Sequence, residues 1–95
     1  MKVKEIVEMY KGEFVEVETY FSLNRSHSFH TDSIIAAGIN QDGDPEINED
    51  AEVIDYELMG EEDYNTSVLA NSSISFTDIY GEDDKVLVIL IKEEI

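Results

Sequence analysis

The spacing of apolar positions divides the chain into short elements. Val3, Ile6, Val7 and Tyr10 recur at i, i+3, i+4 and i+7, the stripe of an amphipathic helix, with Lys4 and Glu8 on its wet side. Gly12 is placed to close that helix. A helix so short does not stand without docking, so its stripe needs a sheet to cover. From Phe14 to Phe21 the period changes to two, with Val15, Val17, Thr19 and Phe21 on one face and Glu16 and Glu18 on the other. That pattern predicts a half-buried strand whose glutamates face water. Asn24-Arg25-Ser26 has turn chemistry, and His27 to Ile35 alternates again, with Phe29, Thr31, Ser33 and Ile35 inward. The two runs read as a β-hairpin; the alternative is that Asp32 caps a short helix ending at Gly38.

Gly38 to Asp50 stacks turn formers around Pro45, the only proline, and predicts a loop. Glu52 to Leu58 resumes a strand, with Ile54, Tyr56 and Leu58 toward the core. Glu61 to Ala70 opens on acids and carries Tyr64 and Val68, which favours one or two helical turns, although Asn65, Thr66 and Ser67 favour the helix less. Ile74 and Phe76 alternate toward Tyr80, the pattern of another strand. Gly81 to Asp84 makes a turn. The unbroken run Val86-Leu87-Val88-Ile89-Leu90-Ile91 then predicts a central strand covered on both faces. The expected fold is α+β: an N-terminal helix packed on a mostly antiparallel sheet of about five strands, in a single domain spanning 1–95.

Composition allows one small core. Of the 95 residues 42% are hydrophobic, and four Phe with five Tyr supply bulk, which argues for a folded chain despite a net charge of −17. There is no Cys, hence no disulfide and no thiolate chemistry. The first residues lack the apolar core of a signal peptide, and no run approaches the roughly eighteen apolar residues of a membrane span. A soluble, cytoplasmic protein is expected.

Charge changes the picture most. From Ser26 to Asp84 there is no Lys or Arg, yet that stretch holds sixteen of the twenty-three acids. The cations, Lys2, Lys4, Lys11, Arg25, Lys85 and Lys92, all lie outside it. Such a chain repels nucleic acid and anionic membranes and draws basic partners. A purely solubilising surface would more often intersperse both signs. The densest acids, Glu46, Glu49, Asp50, Glu61, Glu62 and Asp63, are the candidate partner-binding residues.

Other chemistry is thin. Both histidines fall in Ser26-His27-Ser28-Phe29-His30-Thr31-Asp32, where imidazoles and a carboxylate suit zinc. His27, His30 and Asp32 are therefore candidate metal ligands, although on a regular strand His27 points away from the other two, and a pair of solvated histidines is the alternative. Asp42-Gly43-Asp44-Pro45-Glu46-Ile47-Asn48 begins like a calcium loop, but its sixth place is Ile47 and its twelfth is Val53. Ser67, Ser72 and Ser73 have no nucleophile elbow around them, and there is no Gly-rich phosphate cradle. No enzymatic activity is expected.

A very acidic, cysteine-free chain carrying the 26–32 stretch resembles the small accessory proteins of bacteriophages. In particular it is similar to type II-A anti-CRISPR proteins, and the 26–32 stretch resembles the metal-binding hairpin of a zinc-dependent member of that group. The resemblance implies an inhibitor acting in the host bacterial cytoplasm. It implies docking on a basic surface of the RNA-guided DNA nuclease, blocking guide or target DNA loading, with zinc at His27 and His30. The rival expectation is a phage structural or assembly protein whose acids serve solubility.

Overall fold

A computed structural model describes residues 1–22, 34–40, 49–70 and 72–92. The elements are α1 (Val3–Met9), β1 (Glu16–Ser22), β2 (Ile34–Asn40), β3 (Val53–Met59), α2 (Glu61–Ser67), a 3₁₀ turn (Phe76–Asp78) and β4 (Val86–Ile91). The strands form one sheet in the order β2-β1-β4-β3. The β1–β2 and β3–β4 pairs are antiparallel, whereas β1 and β4 run parallel at the centre. The sheet is therefore mixed, with four strands among the described residues rather than about five.

The difference comes from Ile74 to Tyr80, where alternation predicts a strand. Phe76 is fully buried, but its neighbours wind into the 3₁₀ turn, because Ser75 and Asp78 offer each other bonds that a ladder would need. The Ser75 N–H donates to Asp78 Oδ2 at 2.8 Å, and the Ser75 hydroxyl donates to the same oxygen at 3.2 Å. Asn65 Oδ1 accepts the Phe76 N–H at 2.8 Å and ties the turn to α2.

The expected hairpin partner of β1, His27 to Ile35, lies outside the described residues except for 34 and 35, which belong to β2. Residues 34–38 are strand, not the tail of a helix capped by Asp32, and the strand runs on through Gly38 to Asn40. Ala36, Ala37 and Gly38 have weak strand propensity, which hides β2 in the sequence. Register jumps from Thr19↔Gly38 to Tyr20↔Ala36, so Ala37 is the extra residue of a bulge. In β3 the register shifts between Val53 and Asp55, which reverses the side-chain parity. Ile54 consequently packs on one face of the sheet, while Tyr56 and Leu58 pack on the other.

β4 is central and buried along its whole length, as its unbroken apolar run predicts. Val3 and Ile6 of α1 cover Val17, Leu87, Ile89 and Ile91 on one face. Tyr64 of α2, with Phe76, covers Tyr20, Met59, Val86, Val88 and Leu90 on the other. α1 begins on the Glu5 carboxylate, which accepts the Lys2 N–H at 3.2 Å. It ends at Met9 with Tyr10 as its cap, and Gly12 acts two residues beyond that cap. Tyr10 O accepts the Glu13 N–H at 2.9 Å, closing a turn whose third residue is Gly12 at φ 86°, where a side chain would be strained. That turn sends the chain back into β1. Val15, grouped by alternation with the inward residues, precedes the strand and is exposed.

Candidate functional site

Residue order fixes what the two ends of the sheet carry. Val53 pairs with Ile91 and Met59 with Val86, while Glu16 pairs with Val86 and Phe21 with Ile91. One end therefore holds the start of β3 and the finish of β4. Lys2 bridges to Glu52 there, and the Lys4 N–H donates to the Glu49 carbonyl at 3.0 Å. Lys4 Nζ lies 3.2 Å from Asp50, and Lys92 Nζ lies 3.9 Å from Glu52. This end is mixed in sign.

The opposite end holds the finish of β3, the first turn of α2, the 81–84 turn and the entry to β1. Glu61, Glu62 and Asp63 are exposed in the first turn of α2, where the helix dipole favours acids. Glu82 and Asp83 are exposed in the turn that leads to Lys85, whose side chain lies over Gly60 at the start of α2. A methyl group placed on Gly60 would meet Lys85 Nζ at 2.7 Å. The two clusters of candidate acids are thus separated by the length of β3, about 20 Å at strand rise. Glu49 and Asp50 sit at the mixed end, whereas Glu61, Glu62 and Asp63 sit at the acidic one. Glu46, and the proposed zinc ligands His27, His30 and Asp32, lie outside the described residues. Among the described residues no three His, Asp or Glu side chains converge to hold a metal ion.

Beneath the acidic end is an arrangement that the alternation in β1 does not predict. Glu18 is 2% exposed and faces α2 rather than water. Its Oε1 accepts the Tyr64 hydroxyl at 2.6 Å and also the Tyr20 hydroxyl, and its Oε2 accepts the Tyr80 hydroxyl. The Tyr20 and Tyr64 oxygens lie 3.5 Å apart. Around them Tyr64, Phe76 and Tyr80 pack ring against ring, with centroids 5.1–6.0 Å apart. Three strands and segments meet at one carboxylate: β1 supplies Glu18 and Tyr20, α2 supplies Tyr64, and the chain after the 3₁₀ turn supplies Tyr80.

Burial pushes the pKa values of Tyr20, Tyr64 and Tyr80 well above the ordinary phenol value, and the Glu18 charge adds to it. All three therefore remain hydroxyl donors at neutral pH. The cluster is buried except at its Tyr80 edge and holds its hydroxyls on a carboxylate, so its chemistry is that of a clasp. It holds α2 and the 72–84 segment to the sheet, and with them the acids of that end. A signal for it was present in the sequence. Tyr20 falls in phase with Glu16 and Glu18, and a central strand covered on both faces implies that its neighbour is covered too.

No known protein family matches the chain, and neither a curated protein nor a solved structure matches it. Among the described residues no helix is long and apolar enough to cross a membrane.

Proposed function

We propose that this chain is an acidic protein inhibitor that docks on a basic, nucleic-acid-binding surface, acting as a decoy for phosphates. The particular target proposed is the RNA-guided DNA nuclease of a type II CRISPR system in the host bacterial cytoplasm, with guide or target loading as the blocked step. The observation that carries the reading is the excess of acids at that end of the sheet. There Glu61, Glu62, Asp63, Glu82 and Asp83 are all exposed, against the Lys85 cation that lies over Gly60. Surfaces of one sign speed encounter with the opposite sign and make binding fall with salt. Zinc on His27, His30 and Asp32 belongs to the same proposal, and elemental analysis of the purified protein tests it.

The mixed end favours a second reading for its own acids. Asp50 and Glu52 pair with Lys4 and Lys92, the pattern of a surface kept soluble, as a phage structural or assembly protein would need. Binding to the purified nuclease, measured at rising salt, separates the two. The triple variant E61K/E62K/D63K should lose binding and inhibition, while E49K/D50K should keep both. A wild-type protein that forms no complex at low salt, or equal losses in both variants, would end the decoy account.

A further inference from the structure

The turn tied to α2 also displays apolar side chains that a purely electrostatic decoy does not need. Ile74 and Ile79 are 50% and 48% exposed, on either side of the fully buried Phe76. Single exposed apolar residues need no explanation. These two differ in being held out on a stiff turn. The Ile74 N–H donates to Ser72 Oγ at 3.1 Å, and Ser75 and Asp78 bond to each other across the turn. The Ile79 and Tyr80 N–H groups both donate to the Phe76 carbonyl, at 3.0 and 2.8 Å. Phe76 is the inward anchor and Asn65 ties its N–H to α2, so turning either isoleucine inward would break the turn. Glu61 and Glu62 lie one helical turn before Asn65, and Asp78, which falls between the isoleucines in sequence, is exposed.

We infer that Ile74 and Ile79 are the apolar anchors of the docking surface, and that its partner presents an apolar recess ringed by Lys or Arg. Protein interfaces combine such an apolar centre with a polar rim, and side chains fixed beforehand bind with less loss of entropy. The charge on the page selects the occupant. A second copy would bring the same acids against these, and nucleic acid or an anionic membrane would add phosphates to carboxylates. A basic protein surface with an apolar centre satisfies both features. This deepens the reading proposed above and rests on it for the sign of the partner, though not for the identity of the nuclease.

Two synthetic peptides test the chemistry directly: an amphipathic Lys/Leu peptide and a Lys/Ser peptide of equal length and charge. The wild-type protein should bind the Lys/Leu peptide about tenfold more tightly, a difference equivalent to a few buried methylenes. Amide shifts should concentrate at residues 72–80. The I74S/I79S variant, whose changes are at exposed positions, should melt like the wild type and bind both peptides equally. In E61K/E62K/D63K both peptides should weaken together. Equal binding of the two peptides by the wild type, binding of neither, or a preference that survives I74S/I79S would overturn the inference. Failure of the nuclease to bind, with the peptide preference intact, would remove only the nuclease.

Discussion

On the α1 face of the sheet, Val3 and Ile6 meet Val17, Leu87 and Ile89 in an aliphatic contact, with Tyr10, Phe14, Phe21 and Tyr56 packed around it. On the opposite face the same strands carry Glu18 into the middle of Tyr20, Tyr64 and Tyr80. Burial of the first kind is non-directional, and a helix held that way can shift with little loss as long as its volume is kept. Burial of the second kind is directional. A hydroxyl aimed at a carboxylate specifies where α2 and the chain after Phe76 must lie. The face that fixes position is also the one bordered by the acidic end and by Ile74 and Ile79, so the placement of the proposed docking groups depends on a carboxylate they never touch.

The most direct way to break this contrast is Glu18→Leu. It leaves buried tyrosine hydroxyls without their acceptor, at about 1–3 kcal/mol for each that finds no other. A loss of about 4 kcal/mol is expected by urea unfolding, against about 1 kcal/mol for Ile6→Val on the dry face. If Glu18→Leu matched or exceeded wild-type stability, the clasp would be dispensable.

Alkaline pH sharpens the same contrast without mutation. The folded-state pKa values of Tyr20, Tyr64 and Tyr80 are raised above the unfolded value of about 10. Their contribution is therefore complete below about pH 10 and is lost above it, because the unfolded chain releases those protons first. Each fully buried phenol can add at most about 1.4 kcal/mol per pH unit, and half-buried Tyr80 adds less because solvent screens it. Melting temperature should fall steeply between about pH 10 and 12. A profile as flat as that of a Tyr20→Phe, Tyr64→Phe, Tyr80→Phe variant would show that the hydroxyls do not matter.

Tyr80→Phe is the milder probe, since it removes one donor and leaves the ring against Phe76. It should cost about 1 kcal/mol in the wild type and close to nothing in Glu18→Leu, because the bond it removes is then already gone. Equal costs in the two backgrounds would place the Tyr80 effect elsewhere.

Much of this layout was legible in the sequence, and its failures share a cause. α1, β3, α2 and the central place of β4 follow from periodicity, because each buries a face set by its own residues. Alternation in β1 also identified the two faces correctly but assigned water to one of them, although both are covered. Glu16 and Glu18 read as wet because an isolated strand gives no sign of Tyr64 and Tyr80, which arrive from more than forty residues away. The 3₁₀ turn escaped for the opposite reason: side-chain bonds between Ser75 and Asp78 over three residues outweigh an alternation spread over seven. The candidate acids were legible as residues but not as a site. Whether they form one patch depends on strand direction, and β3 carries Asp50 and Glu61 to opposite ends.

Surface charge gives the smallest effects and separates the two ends. At the mixed end Asp50→Lys should lower stability by at most about 0.5 kcal/mol, since its pair with Lys4 is largely exposed. At the acidic end Glu82→Lys should raise stability by a similar few tenths, because it relieves repulsion from Asp83 and the first turn of α2. Both changes should fade as salt approaches about 1 M, where the screening length falls to about 3 Å, while the wild-type melting temperature rises. The signs matter more than the sizes. A Glu82→Lys that destabilises at low salt would mean that the acids of that end are locally compensated, and a compensated surface has little attraction left for a basic partner.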